Sequence, residues 1–484
     1  MEKFYSDPKL NEIANEVIKN LPSLSSFYAN SESLSEYSKR INYYVPEKTY
    51  LARQSRFRQK LREKINRIFN KDELANIKID INDEWGVIGG IVDHCGILDH
   101  PLFLASHLVS NFYKLLNRDK EGDILTFATG NIPLNEPFRR RGFMLNGKKI
   151  NIFSKSDKDK IIFGLPKYDF YFVKKIKKSH QWHNFSESEQ ELLEKIQEII
   201  KNIDFSTCEY LGDQLTKINY YIWPFLFRKN IRDNATRLIS IEYDDIVIDY
   251  LCYVLQNEKE SFVYKMLFED NLREKVLIEF EGVNGAWDEK KKVGTHFFWG
   301  LDKENKHVKL QLEDGFLRGK NNFEIEFSLE NIIENLKSKR ILPGMLLKFS
   351  LILFYMGMKP LAGYSLEYLT RMKAKIIEVL KEDFPEEVEL IKSVPLDNMN
   401  LISICQGRDE NGKIKELHAF DIFFRGGFSR EYFEKLDSLE FKEFMVPPLL
   451  FAYNYGVDKY GDIKEKKKFS ITEKDLQKKL EKIF

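Results

Sequence analysis

The sequence predicts an α/β protein: a Rossmann-like parallel-sheet core with inserted helical and β-rich regions. Three observations predict this. Trp85 to Phe138 has a strand–helix–strand pattern: an apolar run from Gly86 to Val92 ending in Asp93-His94, an amphipathic helical pattern from Pro101 to Leu116, and a second apolar run from Ile124 to Thr129. The helix between the runs is long enough for the right-handed crossover that joins parallel strands. Helical and strand-like segments then alternate along the chain, which favours α/β over all-helical layers.

At 484 residues the chain is too long for one small core, so roughly two or three domains are expected. Residues 1–80 are expected to form a helical region. Residues 81–340 hold the core, with a helical insert near 170–235 and a β-rich segment at 275–328. Residues 341–484 form a helical and mixed region that completes the core. Within the first region, Leu51 to Phe69 has the apolar spacing of a surface helix. After the strand–helix–strand unit, strands are expected at Lys149–Phe153 and Lys160–Phe163. Residues 186–203 predict an amphipathic helix whose Ser186 and Glu189 form a capping box. A strand and a helix follow in 236–256. VLIEFEG, THFFWGLD, HVKLQLEDG and FEIEFSL alternate with the two-residue period of strands. Turns are expected at Asp302–Asn305 and Glu313–Gly315. Leu342 to Met358 is the most apolar stretch, but Pro343, Gly344 and Lys348 interrupt it, so a buried helix is expected rather than a membrane span. Helices continue to the end, with strands near Leu401–Cys405 and 418–424.

The formal net charge is +1, from 76 basic and 75 acidic residues. That balance argues against a bulk nucleic-acid binder, which needs basic excess. The runs Lys174–Lys178 and Lys466–Lys468 have acidic neighbours and are expected to be solvated surface. Cys95, Cys208, Cys252 and Cys405 are far apart and form no CxxC pair, and the polar N-terminus lacks a secretory pattern. A cytoplasmic location is therefore expected.

Polar residues gather where the first two strands end, and ligands of open parallel sheets bind at those ends. Asp93 and His94 close the first strand, with His94 expected as acid/base and Asp93 orienting it or binding substrate. Asp99 is the expected cap of the following helix, and His100 and His107 share a face of it. Seven residues on one helix separate side chains by about 10 Å, a poor chelate, so a metal at this cluster is the weaker reading. The loop after the second strand offers Asn131, Asn135, Arg139 and Arg141 as anion contacts. His296 lies in an aromatic strand between glycines. Lys359 and Tyr364 flank a turn before a helix that Ser365 is expected to cap. Asn131, Asn135, Arg139, Arg141, His296, Lys359 and Tyr364, with His100, make up the expected substrate-binding set.

In order and rough spacing, GIVDHCGILDHPLFLASHLVSNFYKLL, ILTFATGNIPLNEPF and LPGMLLKFSLILFYMGMKPLAGYSLEYLTRMKAKI resemble two blocks of the bacillithiol-synthesis cysteine-adding enzymes. The matching positions are Gly96, Pro101, Leu102, Pro343 and Gly363. That family's glycine-glutamine turn is Asp93-His94-Cys95 here, and its acidic-histidine loop is Gly130-Asn131-Ile132. The resemblance implies a Rossmann-like core that binds a nucleotide or anion. The leading expectation is thus a cytosolic enzyme acting on an anionic small molecule, a nucleotide-dependent ligase or transferase joining an amine to a carboxylated partner. ATP or ADP with magnesium is its expected cofactor. Its expected partner is the small anionic substrate, not nucleic acid or membrane, with a homo-oligomer left open. A metal-dependent hydrolase using Asp93, His94 and His100, and a non-catalytic ligand- or partner-binding protein, are the alternatives.

Overall fold

The computed structural model describes all residues except 1, 80, 82–85, 91–92, 117–121, 139–140, 233–235, 284, 401, 410–411, 462–465 and 479–484. Trp85, Val92, Arg139 and Leu401, which figure in the expectations above, lie outside the described residues. The chain is mixed α/β with a small parallel sheet. Strands β1 (Ile88–Gly90) and β2 (Asp93–His94) are followed by helices Pro101–Ser110 and Phe112–Leu116, then by β3 (Ile124–Thr129). A hairpin of β4 (Gly142–Leu145) and β5 (Lys148–Asn151) comes next, and β6 (Leu238–Glu242) follows a helical stretch. Strands β2, β3 and β6 pair in parallel in that spatial order, and β1 pairs in parallel with Lys359–Leu361.

Burial explains the strand composition. All five residues of β6 are buried, as are Ile124 and Phe127 to Ala128 in β3, so these strands are apolar runs rather than alternating ones. A Cβ on Gly89 would lie 2.1 Å from the Phe127 ring, so only glycine lets β1 approach β3. The register aligns Asp93, Ala128 and Glu242 in one row, and it brings the carboxyl ends of three strands together.

Several expectations are corrected. The helix after β2 is buried on nearly every side rather than amphipathic, and it breaks at Asn111. Its cap is His100, not Asp99: His100 Nδ1 accepts the Leu102 N–H at 3.2 Å. VLIEFEG is not a strand. It ends the helix Asp270–Phe280, whose Leu272, Val276 and Phe280 face the core at four-residue spacing while Ile278 is 73% exposed. Lys160 to Phe163 makes only isolated bridges, to Lys306 and Pro133. Residues 419–424 are helical, opened by a capping box of His418 and Asp421, and the strands of that region are Gln406–Arg408 and Ile414–Glu416. Lys359 is not in a loop but on the strand beside β1. The helix Ser365–Leu380 is preceded by Tyr364, with no side-chain cap from Ser365.

The Ser186–Glu189 capping box forms as expected. So does most of the β-rich segment. Its five antiparallel strands run in the order Phe323–Glu326, Phe316–Gly319, His307–Glu313, Phe298–Leu301, Ile341–Pro343. Val308, Leu310, Leu317 and Ile325 point from it into the core. The apolar stretch from Leu342 is buried, as a strand, a short helix (Met345–Phe349) and a π-helical turn (Ser350–Tyr355). One continuous apolar cluster extends from Leu10 to Leu476. No described helix is long and apolar enough to cross a membrane.

Candidate functional site

The chain turns at Cys95 after β2, and the Cys95 N–H donates to the Thr129 carbonyl at 2.9 Å. This holds the turn against the end of β3 and presents His94 beside the helix start at His100. His94 Nδ1 lies 3.3 Å from Glu136 Oε2, on the loop after β3. His418 Nδ1 lies 3.0 Å from Asp99 Oδ2, and its backbone is anchored there too, because the Ala419 N–H donates to the Asp99 carbonyl. Phe103 and Phe138 lie between His94 and His100. The His94 ring is 5.2 Å from Phe103 and 5.8 Å from Phe138; the His100 ring is 5.1 Å from Phe138 and 5.6 Å from His418. The side chains of His94 and His418 are about one-quarter exposed, at 25% and 24%, so both are reachable from solvent, whereas the carboxylates behind them are buried.

Beneath these groups, His107 Nε2 meets Asp93 Oδ2 at 3.0 Å, both side chains almost fully buried. Asp93 Oδ1 accepts the N–H of His94 at 2.8 Å. Asp93 therefore holds the His94 backbone and His107, while Glu136 faces the His94 ring. Burial raises the Asp99 carboxyl, against the hydrogen bond and charge of His418. Burial opposes the charged form of His418, but the Asp99 hydrogen bond and charge prevail and raise it. Both directions favour the protonated form of the pair.

A second buried network braces the loop after β3. Asp244 Oδ2 accepts from Thr129 Oγ1 at 3.0 Å and from the N–H groups of Gly130 and Asn131 at 2.6 and 3.1 Å. Lys348, on the short helix before the π-helical turn, pairs with the other oxygen of Asp244 and donates to Thr129 Oγ1 at 2.9 Å. Burial alone would raise Asp244; Lys348 overrides it and lowers the carboxyl. Glu242 accepts the Asp244 N–H at 2.8 Å and lies 3.1 Å from Lys64, and burial pushes it up to about 8 against the charge of Lys64. Gly130 must pass Glu242 closely, since a Cβ there would sit 2.9 Å from Glu242 Cγ.

No protein-family model and no curated protein matches this chain.

The structure thus brings Asp93, His94 and His100 together at the carboxyl end of the parallel strands, with Asn131 on the adjoining loop. Asn131 Oδ1 is engaged by His307 Nε2 at 2.5 Å. Asn135 accepts from Arg141 Nε at 3.2 Å, and Arg141 also donates to the Phe153 carbonyl, so these two hold the turn into β4. Three expected contacts lie elsewhere. Lys359 is 1% exposed, pairs with Asp397 at 3.0 Å, and sits in register with Ile88 at the opposite, amino end of its strand pair. Tyr364 is buried against Phe451 and Tyr455. His296 is buried beside Trp287, accepting the Leu312 N–H through Nδ1, and burial pushes it down to about 4.

Sequence reasoning missed Glu136, Asp99 as a histidine partner, His418, Asp244 and Lys348. His418 lies more than three hundred residues after Asp99, beyond any local pattern; its one signal was His418-x-x-Asp421 before an apolar run, a helix start. Among the described residues no group of three or more His, Cys, Asp or Glu side chains has an arrangement that could hold a metal ion.

Proposed function

We propose that this chain is an enzyme acting on an anionic small molecule, with His94, His100 and His418 moving protons at the carboxyl end of a Rossmann-like core. The observation that carries the reading is the gathering of His94 and His100 around Phe103 and Phe138 with His418 edge-on to His100, and a buried carboxylate at a ring nitrogen of both His94 and His418. A carboxylate behind an imidazole fixes its tautomer and stabilises its protonated form as it takes up a proton. Imidazolium groups next to an apolar wall also favour a ligand with negative charge. The strand order supports the Rossmann-like part. Strands β6, β3 and β2 run parallel as third, second and first in the chain, and β1 runs parallel with 359–361; doubly wound sheets, whose ligands bind beyond the carboxyl ends, are built from such parallel pairs.

For the reaction class we infer ligation or transfer joining an amine to a carboxylated partner, with magnesium and ATP or ADP; the support is the order of the two sequence blocks that resemble the cysteine-adding enzymes. The test is incubation of the protein with magnesium-ATP and pools of amine- and carboxylate-bearing metabolites, followed by mass spectrometry. An ATP-dependent condensation product is expected, abolished in His94→Ala with the fold intact. Full turnover in His94→Ala would overturn the role of this site.

A further inference from the structure

We propose that the cleft on the outward face of the antiparallel sheet binds a nucleoside phosphate. The cleft has a volume of about 530 Å³, and its lining includes Trp299, His307, Lys309, Gln311, Glu313, Arg318 and Lys320. That volume lies within the range that holds small ligands. Strand register explains the gathering: Trp299 is paired with Lys309 and Gln311 with Arg318, so their side chains project from one face while Val308, Leu310 and Leu317 fill the other.

Two features point to the ligand class. Trp299 and His307 stack with ring centroids 4.6 Å apart and planes at 29°, an aromatic wall suited to a planar base. Three cations border the wall. Arg318 is engaged by Asp314 and Glu324, but neither Lys309 nor Lys320 has an acidic partner among the described residues. Lys309 is half-buried. A phosphate supplies the counter-charge that these two ammonium groups lack among the described residues. Glu313 in the lining, and Asp314 and Glu324 on Arg318, interrupt the basic surface, so it forms a bounded site rather than a track along a nucleic-acid backbone.

The cleft also reaches the first site. His307 Nε2 donates to Asn131 Oδ1, and Asn131 belongs to the loop that Asp244 braces after β3. The use of the nucleotide as a co-substrate rests on the function proposed above; its binding here does not.

The test is calorimetric titration of the full chain with ADP, with pyrophosphate and a single-stranded oligoadenylate as comparison probes. Saturable binding of one ADP per chain is expected, at least tenfold tighter than pyrophosphate, and weakened at least tenfold in Lys309→Glu and in Trp299→Leu. Lys320→Glu, an exposed position, keeps the test open if Trp299→Leu unfolds, and it should weaken ADP severalfold. Absence of saturable binding at millimolar ADP overturns the proposal. So does ADP binding that is unchanged in Lys309→Glu, pyrophosphate binding as tight as ADP, or tighter binding of the oligoadenylate. His94→Ala should bind ADP like the wild type, so failure of this cleft and failure of the histidine site are told apart.

Discussion

His418 and His307 are both half-buried imidazoles, each held through one ring nitrogen by a single side chain, yet they are driven in opposite directions. At the carboxyl end of the parallel strands, His418 meets the carboxylate of Asp99, and its pKa rises despite burial. On the antiparallel sheet, His307 meets the neutral amide of Asn131; burial dominates, only partly offset by Asp244, and pushes the ring down to about 4. His296, with no carboxylate against its ring, follows His307 to about 4. The charge of the partner, more than the degree of burial, decides the direction in which each of these imidazoles is driven.

The largest expected effect comes from removing the group that supports both regions. Asp244→Ala leaves Lys348 buried without its counter-charge and frees the N–H groups of Gly130 and Asn131. A loss of about 3–5 kcal/mol of stability is expected, seen as a lower urea midpoint. His94→Ala, at a part-exposed ring, should change that midpoint by less than about 1 kcal/mol. Equal effects would mean that the Asp244 network is not what braces the loop.

Exchanging the partners is a sharper test of the comparison. Asp99→Asn removes the charge that raises His418, leaving burial to lower its pKa below the wild-type value. Asn131→Asp places a carboxylate at His307, whose pKa should rise from about 4 toward the ordinary histidine value. Imidazole proton shifts followed by NMR against pH read both changes. An unmoved His418 in Asp99→Asn would break the comparison.

A smaller effect is the pH dependence of stability. His418 binds its proton more tightly folded than unfolded. Its contribution is complete below the unfolded pKa near 6.5 and is lost as pH rises through the folded value. His296 and His307 have the reverse sign: their unfolded forms take up protons first, so stability falls as pH drops from about 6.5 toward 4. In Asn131→Asp the part of the acid loss due to His307 should shrink, measured as thermal midpoints from pH 7 to pH 4.

Much of the parallel sheet was legible in the sequence because its signal is local. Ile124 to Thr129 is an unbroken apolar run, and Ser186 with Glu189 is a helix start that competes with nothing nearby. VLIEFEG was ambiguous for a physical reason: Val276, Ile278 and Phe280 fit a two-residue period as well as Leu272, Val276 and Phe280 fit a helix, and only the exposure of Ile278 separates them. The site was half legible. Asp93, His94 and His100 share one turn, so their proximity follows from chain connectivity. Which carboxylate backs which histidine depends on contacts between distant segments, Asp99 with His418 and Thr129 with Asp244, and no spacing along the chain encodes these. His296 shows the converse. A histidine among aromatic residues has the same local pattern in a core as in a pocket.

The most direct measurement is the pH titration of the imidazole signals in the wild-type protein, assigned by single His→Gln variants. The account predicts a His418 midpoint above the ordinary value near 6.5, with His296 and His307 titrating together near 4. A His418 midpoint below that of His307 would contradict it, because partner charge would then not be what distinguishes the two regions.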